Sequence, residues 1–66
     1  MDIARLRYMA DQIARNLAVD DDETAIAATA EHIRRYWDPR MKAAILADDR
    51  AALSPLAAAA IERLSR

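Results

Sequence analysis

None of the 66 positions of this chain is glycine. Glycine is the residue that most readily takes positive φ, which tight hairpin turns and left-handed helix ends require. A chain without it is poorly equipped for β-hairpins, and its helices must stop by other means. Alanine, the best helix former, is abundant and includes the run Ala57–Ala60. These two facts predict an all-α fold, a small bundle of three to four short helices in one domain over residues 1–66.

Length then narrows what such a bundle can do alone. A chain of this size buries only about 60% of the surface its unfolded form exposes, so its fold is marginal in isolation. Small domains compensate with disulfides, a metal or a partner. There is no cysteine and one histidine, His32, which removes disulfides, thiolate chemistry and a four-ligand zinc site together. A partner is what remains. Ten basic and eleven acidic residues lack the positive excess of a nucleic-acid binder. No apolar run approaches the roughly 20 residues of a membrane span. The start, Met1-Asp2-Ile3-Ala4-Arg5, has neither the basic head nor the apolar centre of an export signal. The expectation is a cytoplasmic protein with no nucleic-acid and no membrane partner.

Helices are legible from periodicity. Ile3, Leu6, Ala10, Ile13 and Leu17 mark one face of a first helix from about Asp2 to Leu17, with Tyr8 and Met9 widening the stripe. Asp2 suits its N-cap. Asp20-Asp21-Asp22-Glu23 interrupts the pattern, and Asp20 with Glu23 has the form of a capping box. The same acids lack the 12-residue spacing and central glycine of a calcium loop. A second helix follows, from about Asp22 to Trp37, with Ile26, Ala30, Ile33 and Trp37 inward. Pro39 ends it near Asp38 and, with Asp38 as cap, starts a third helix to about Ala47 with Met41, Ala44 and Ile45 inward. Asp48-Asp49-Arg50 reads as a solvated link. Ser54-Pro55 repeats the cap-and-proline device for a last helix through Leu64, with Leu56, Ala60, Ile61 and Leu64 inward and Glu62, Arg63 and Arg66 in water.

Little here suits catalysis. His32 lacks a nucleophile or second titrating group nearby, since its neighbour Glu31 points away on a helix. Phosphate-binding glycine loops are excluded, and Ser54 and Ser65 have no acid or histidine at a suggestive spacing. The chain is expected to be no enzyme, with no catalytic, cofactor-binding or metal-binding residue and no cofactor.

The densest tract is His32-Ile33-Arg34-Arg35-Tyr36-Trp37-Asp38-Pro39-Arg40-Met41, continuing to Lys42. It holds the only tryptophan, one of two tyrosines and a cluster of basic side chains. Tryptophan, tyrosine and arginine dominate interface hot spots. Trp37 also suits the role of a core plug, since small cores often depend on one large aromatic. The arginines suit carboxylate contacts, with Asp38 or with a partner. Base stacking on Tyr36 or Trp37 is a further reading, though Glu31 and Asp38 dilute the basic charge. The first helix's stripe also suits a helical homodimer.

This tract resembles the central signature of the delta subunit of NAD-dependent formate dehydrogenases, with Trp37-Asp38-Pro39-Arg40-Met41 its distinctive part. Leu6-x-x-Met9-Ala10-x-Gln12-Ile13-Ala14 resembles that family's opening helix, and Leu53-Ser54-Pro55-Leu56 its closing segment. Tyr36 stands where the family pattern has phenylalanine, and Asp48-Asp49-Arg50-Ala51-Ala52 lacks the glycines of the corresponding loop. The resemblance implies a small accessory subunit of a cytoplasmic complex that oxidises formate and reduces NAD. The complex's molybdopterin, iron–sulfur clusters and flavin belong to other subunits. It implies partners among those subunits, foremost the large molybdopterin-containing catalytic subunit, and a role in assembly or stability. The expected partner-binding residues are His32, Arg34, Arg35, Tyr36, Trp37, Asp38, Pro39, Arg40 and Met41. The alternative is a free-standing helical binding module or homodimer.

Overall fold

Each helix begins just after a residue of extended backbone whose side-chain oxygen accepts a hydrogen bond from a free first-turn amide. In the computed structural model, which describes residues 2–66, Asp2 accepts from the Ala4 amide at 3.0 Å and opens α1, Ile3–Leu17. Asp21 accepts from Thr24 at 2.7 Å and opens α2, Asp22–Tyr36. Asp38 accepts from Met41 at 2.9 Å and Ser54 from Ala57 at 3.3 Å, opening α3, Pro39–Leu46, and α4, Pro55–Leu64. A single 3-10 turn, Arg50–Ala52, is capped in the same way by Asp49. The described residues contain no strand. Met1, the first residue of the export-signal reading, lies outside them.

The helical expectations hold, with local corrections. The α2 cap is Asp21 rather than Asp20, which puts Thr24 instead of Glu23 at the third helical position, so the predicted capping box does not form. Tyr8 does not widen the α1 stripe: it is 66% exposed. The buried line of α1 is Leu6, Ala10 and Ala14, with Ile3, Met9 and Ile13 half-buried against it. In α4 Ala57 joins Ala60 and Ile61 inside, while Leu56 and Leu64 are half-buried.

α2 packs most extensively against α4, and α1 lies across both, with α3 against α1 and α4. An ion pair from Arg63 to Glu23 ties the last turn of α4 to the first of α2, as an antiparallel pair requires. Leu6, Ala10, Ala14, Ile33, Trp37, Ile45, Leu53, Ala57 and Ile61 form one core cluster. The radius of gyration, 10.5 Å, is close to the roughly 10.8 Å of a well-packed chain of this length.

The link after α3 is not the solvated segment its composition suggests. Asp48 receives two bonds from Arg7 of α1, at 2.6 and 2.8 Å, and its side chain is 13% exposed. Arg50 turns back and donates to the carbonyls of Leu46 at 2.9 Å, Asp48 at 3.0 Å and Ile45 at 3.4 Å. The Leu46 carbonyl is a free acceptor at the C-terminal end of α3, where a glycine-based cap ordinarily acts, whereas the Ile45 carbonyl also accepts from the Asp48 amide at 3.3 Å. Asp11 of α1 then accepts from the Ser54 amide at 3.0 Å and fixes the start of α4.

Two tests follow from this packing. Thr29 is fully buried, and its hydroxyl finds no hydrogen-bond partner among the described residues. Thr29→Val removes that desolvated group at nearly constant shape and should raise stability by about 1 kcal/mol. The expected readout is a higher urea midpoint at unchanged slope; a lower midpoint would show that the hydroxyl is satisfied. The Arg7 guanidinium bonded to Asp48 holds that carboxyl below its ordinary value, and the Thr24 amide does the same for Asp21. A depressed folded-state value contributes stability that is present above the unfolded value, about pH 3.9, and is lost as pH falls through the folded one. Asp48→Asn should therefore lower the neutral-pH melting temperature and flatten its acid decline. An unchanged acid slope would remove Asp48 as a source of it.

Candidate partner-binding corner

The tract His32–Met41 folds into the end of α2, a two-residue corner and the start of α3. Its residues divide sharply by exposure. Trp37 is 5% exposed and belongs to the core cluster, so of its two sequence readings the structure supports the core plug. It is the C-cap of α2, with φ −84° and ψ 140°, and its amide donates to the Ile33 carbonyl at 3.1 Å. That extended conformation ends the helix with the indole beneath the corner. Asp38 stays at the surface with its carboxylate engaged by the Met41 amide, and Pro39 is exposed in the first turn.

Of the rest, Ile33 is fully buried, while Tyr36 and the arginines face outward. Tyr36 is 70% exposed, its ring tilted 49° to His32 with centroids 4.9 Å apart. Arg34 and Arg35 share one carboxylate, Glu31, at 2.8 and 3.3 Å. The carboxylate predicted for them was Asp38 or a partner's; the i,i+3 and i,i+4 spacing on α2 favours Glu31 instead. Lys42 donates to the Arg34 carbonyl at 3.2 Å, closing the end of α2 from α3. Arg40 is exposed and makes no ion pair among the described residues. Met41 is half-buried against the core.

The structure also brings in residues that the tract could not reveal. Asp2, Arg5, Leu6 and Met9 of α1 meet Asp38 and Met41 around a hollow of about 390 Å³ beside the corner. No local spacing signals this meeting, because it depends on how α1 crosses α3. A wider hollow of about 530 Å³ lies at the other end of α1, near Arg15, Ser54 and Leu56. Among the described residues no group of three or more His, Cys, Asp or Glu is placed to hold a metal ion, and no helix is long and apolar enough to cross a membrane.

The fold is a small helical domain with one large aromatic buried beneath a basic corner. The chain matches the NADH-dependent formate dehydrogenase delta subunit family, FdsD, over residues 5–61. It belongs to that family. No curated protein and no solved structure gives a significant match.

The corner separates two mutational effects. Trp37→Ala should cost about 3–5 kcal/mol of folding stability, most of the roughly 3–10 kcal/mol that a domain of this length has in total. Tyr36→Ala, at an exposed ring, should change stability by no more than about 0.5 kcal/mol. Chemical denaturation of the two variants checks this; equal losses would mean that Tyr36 supports the core.

Proposed function

We propose that this chain is a non-catalytic delta subunit of a cytoplasmic, NAD-dependent, molybdopterin-containing formate dehydrogenase. On this reading it aids assembly or stability of the complex by docking on the large catalytic subunit through the α2–α3 corner. Membership of the delta-subunit family supports the complex as partner. The observation that carries the choice of surface is the exposure of Tyr36 beside Arg34, Arg35 and Arg40, on a turn held rigid from beneath by Trp37. An aromatic ring flanked by guanidinium groups and pre-ordered before contact is what an interface anchor needs, because little side-chain freedom is lost on binding.

Size makes the exchange mutual. A standard interface covers about 800 Å² on each partner, roughly a fifth of the 4240 Å² surface of this domain. Binding that selects the folded form stabilises it by mass action, and the docked domain in turn holds its partner's surface in one arrangement.

The test is a pull-down of the tagged chain from its native cytoplasm, with eluates assayed for formate-dependent NAD reduction and for molybdenum. Activity and metal should co-elute, and Tyr36→Ala with Arg40→Ala should lose them while remaining folded. Elution of this chain alone, from cells containing active enzyme, would overturn the reading in favour of a self-associating module.

A further inference from the structure

Most basic side chains of this chain have a reason within the fold. Arg15, Arg34, Arg35 and Arg63 lie in the last turns of their helices, where a cation complements the negative end of the helix dipole. Arg7 pairs with Asp48, while Arg50 and Lys42 close helix ends through carbonyl oxygens. Arg40 is placed the other way. It is the second residue of α3, at the positive end of that helix, in a first turn that holds no acid. The neighbouring Asp38 carboxylate is bonded to the Met41 amide, and no ion pair reaches Arg40 among the described residues. An exposed guanidinium so placed opposes its own helix, and residues that break a local rule without local compensation mark functional positions.

The corner around Arg40 is positive in a chain that is not. Residues 31–42 carry four bases, Arg34, Arg35, Arg40 and Lys42, against two acids, Glu31 and Asp38. Arg5, third in α1 and also without a carboxylate, meets Asp38 from across the fold together with Asp2, and the two cancel. Outside residues 31–42 there are six bases and nine acids. Four of those acids, Asp20, Asp21, Asp22 and Glu23, gather at the opposite end of α2, a helix of 15 residues and therefore roughly 22 Å long. That exceeds two screening lengths of about 8 Å each at physiological salt, so the two ends act on a partner separately.

We propose that the corner docks on an acidic face of the catalytic subunit, where Arg40 pairs with an aspartate or glutamate carboxylate. This rests on the docking reading above and names the chemistry of the surface that receives the corner. The contact supplies the carboxylate that Arg40 lacks within the domain. The same acidic face repels the Asp20–Glu23 turn, so charge also selects which end of the domain lands.

The experiment titrates the full chain into the purified complex depleted of this subunit, at low and high salt, and measures the urea midpoint of each variant beside its affinity. Arg40→Glu puts an acid in the first turn of α3, so its midpoint should hold or rise while its affinity falls at least about tenfold. Its deficit against the unmodified chain should narrow at high salt. Arg15→Glu makes the same change of charge near the other end of α2 and should bind as the unmodified chain does. A midpoint and an affinity that fall together would make Arg40 a structural residue and overturn the proposal. Unchanged affinity in Arg40→Glu, or a deficit indifferent to salt, would overturn the acidic face and leave docking through Tyr36 standing. Failure of the unmodified chain to bind the depleted complex would instead overturn the docking reading itself.

Discussion

Burial of Trp37 is the constraint on which the remainder of the structure depends. Half of the buried apolar residues are alanines: Ala10, Ala14, Ala25, Ala30, Ala57 and Ala60. Alanine lets helices approach closely but removes little surface from water, so the few large side chains supply most of the hydrophobic stabilisation. Trp37 is the largest of them, and it sits at the joint where α2 gives way to α3. It continues the inward line of Ala30 and Ile33, so its side chain reaches the core at the residue where the backbone leaves the helix. The corner that Asp38 and Pro39 impose thus has the indole packed beneath it.

A second constraint, the absence of glycine, is met by charged and polar side chains. Among the described residues none has positive φ, so no helix here ends in a left-handed turn. The end of α3 is closed by the Arg50 guanidinium, that of α2 by Lys42 on the Arg34 carbonyl, and that of α4 by the Ser65 hydroxyl on the Glu62 carbonyl. This is how a link without glycine keeps its shape. Arg50 takes over the acceptors, and Arg7 anchors Asp48 from across the fold. Side chains that a linear reading assigns to solvent thus replace backbone freedom with specific bonds.

What could be read in the sequence was what is local. Helix starts at Asp2, Asp38 and Ser54 were legible because a cap acts within three residues of itself. In the run Asp20-Asp21-Asp22 the same rule is degenerate, and one carboxylate serves as well as the next until packing sets the length of α1. Asp48 was misread because its partner lies 41 residues away. Tyr8 was misplaced because it borders the apolar stripe in sequence, whereas the width of the buried face depends on how α1 crosses its neighbours. For Trp37, core and interface could not be separated from composition, since both environments select the same residue type. The family resemblance was legible from the tract itself, and the family match spans it.

The tract His32–Met41 acquires a physical logic once its residues are sorted by exposure. Ile33, Trp37, Asp38 and Pro39 build the corner, by burial or by capping; Tyr36, Arg34, Arg35 and Arg40 are displayed on it. A larger protein can keep scaffold and contact surface in separate segments. With 66 residues and one core, this chain cannot, and adjacent positions must serve opposite sides of the same turn. The distinctive Trp-Asp-Pro-Arg-Met run then has a reason in the fold of the corner, whatever the corner binds. Substitutions of Trp37 report on the scaffold, and under the docking proposal only those of the outward residues would report on recognition. Loss of complex in a Trp37 variant would on its own say nothing about contact, because an unfolded corner displays no Tyr36 or Arg40 to any partner.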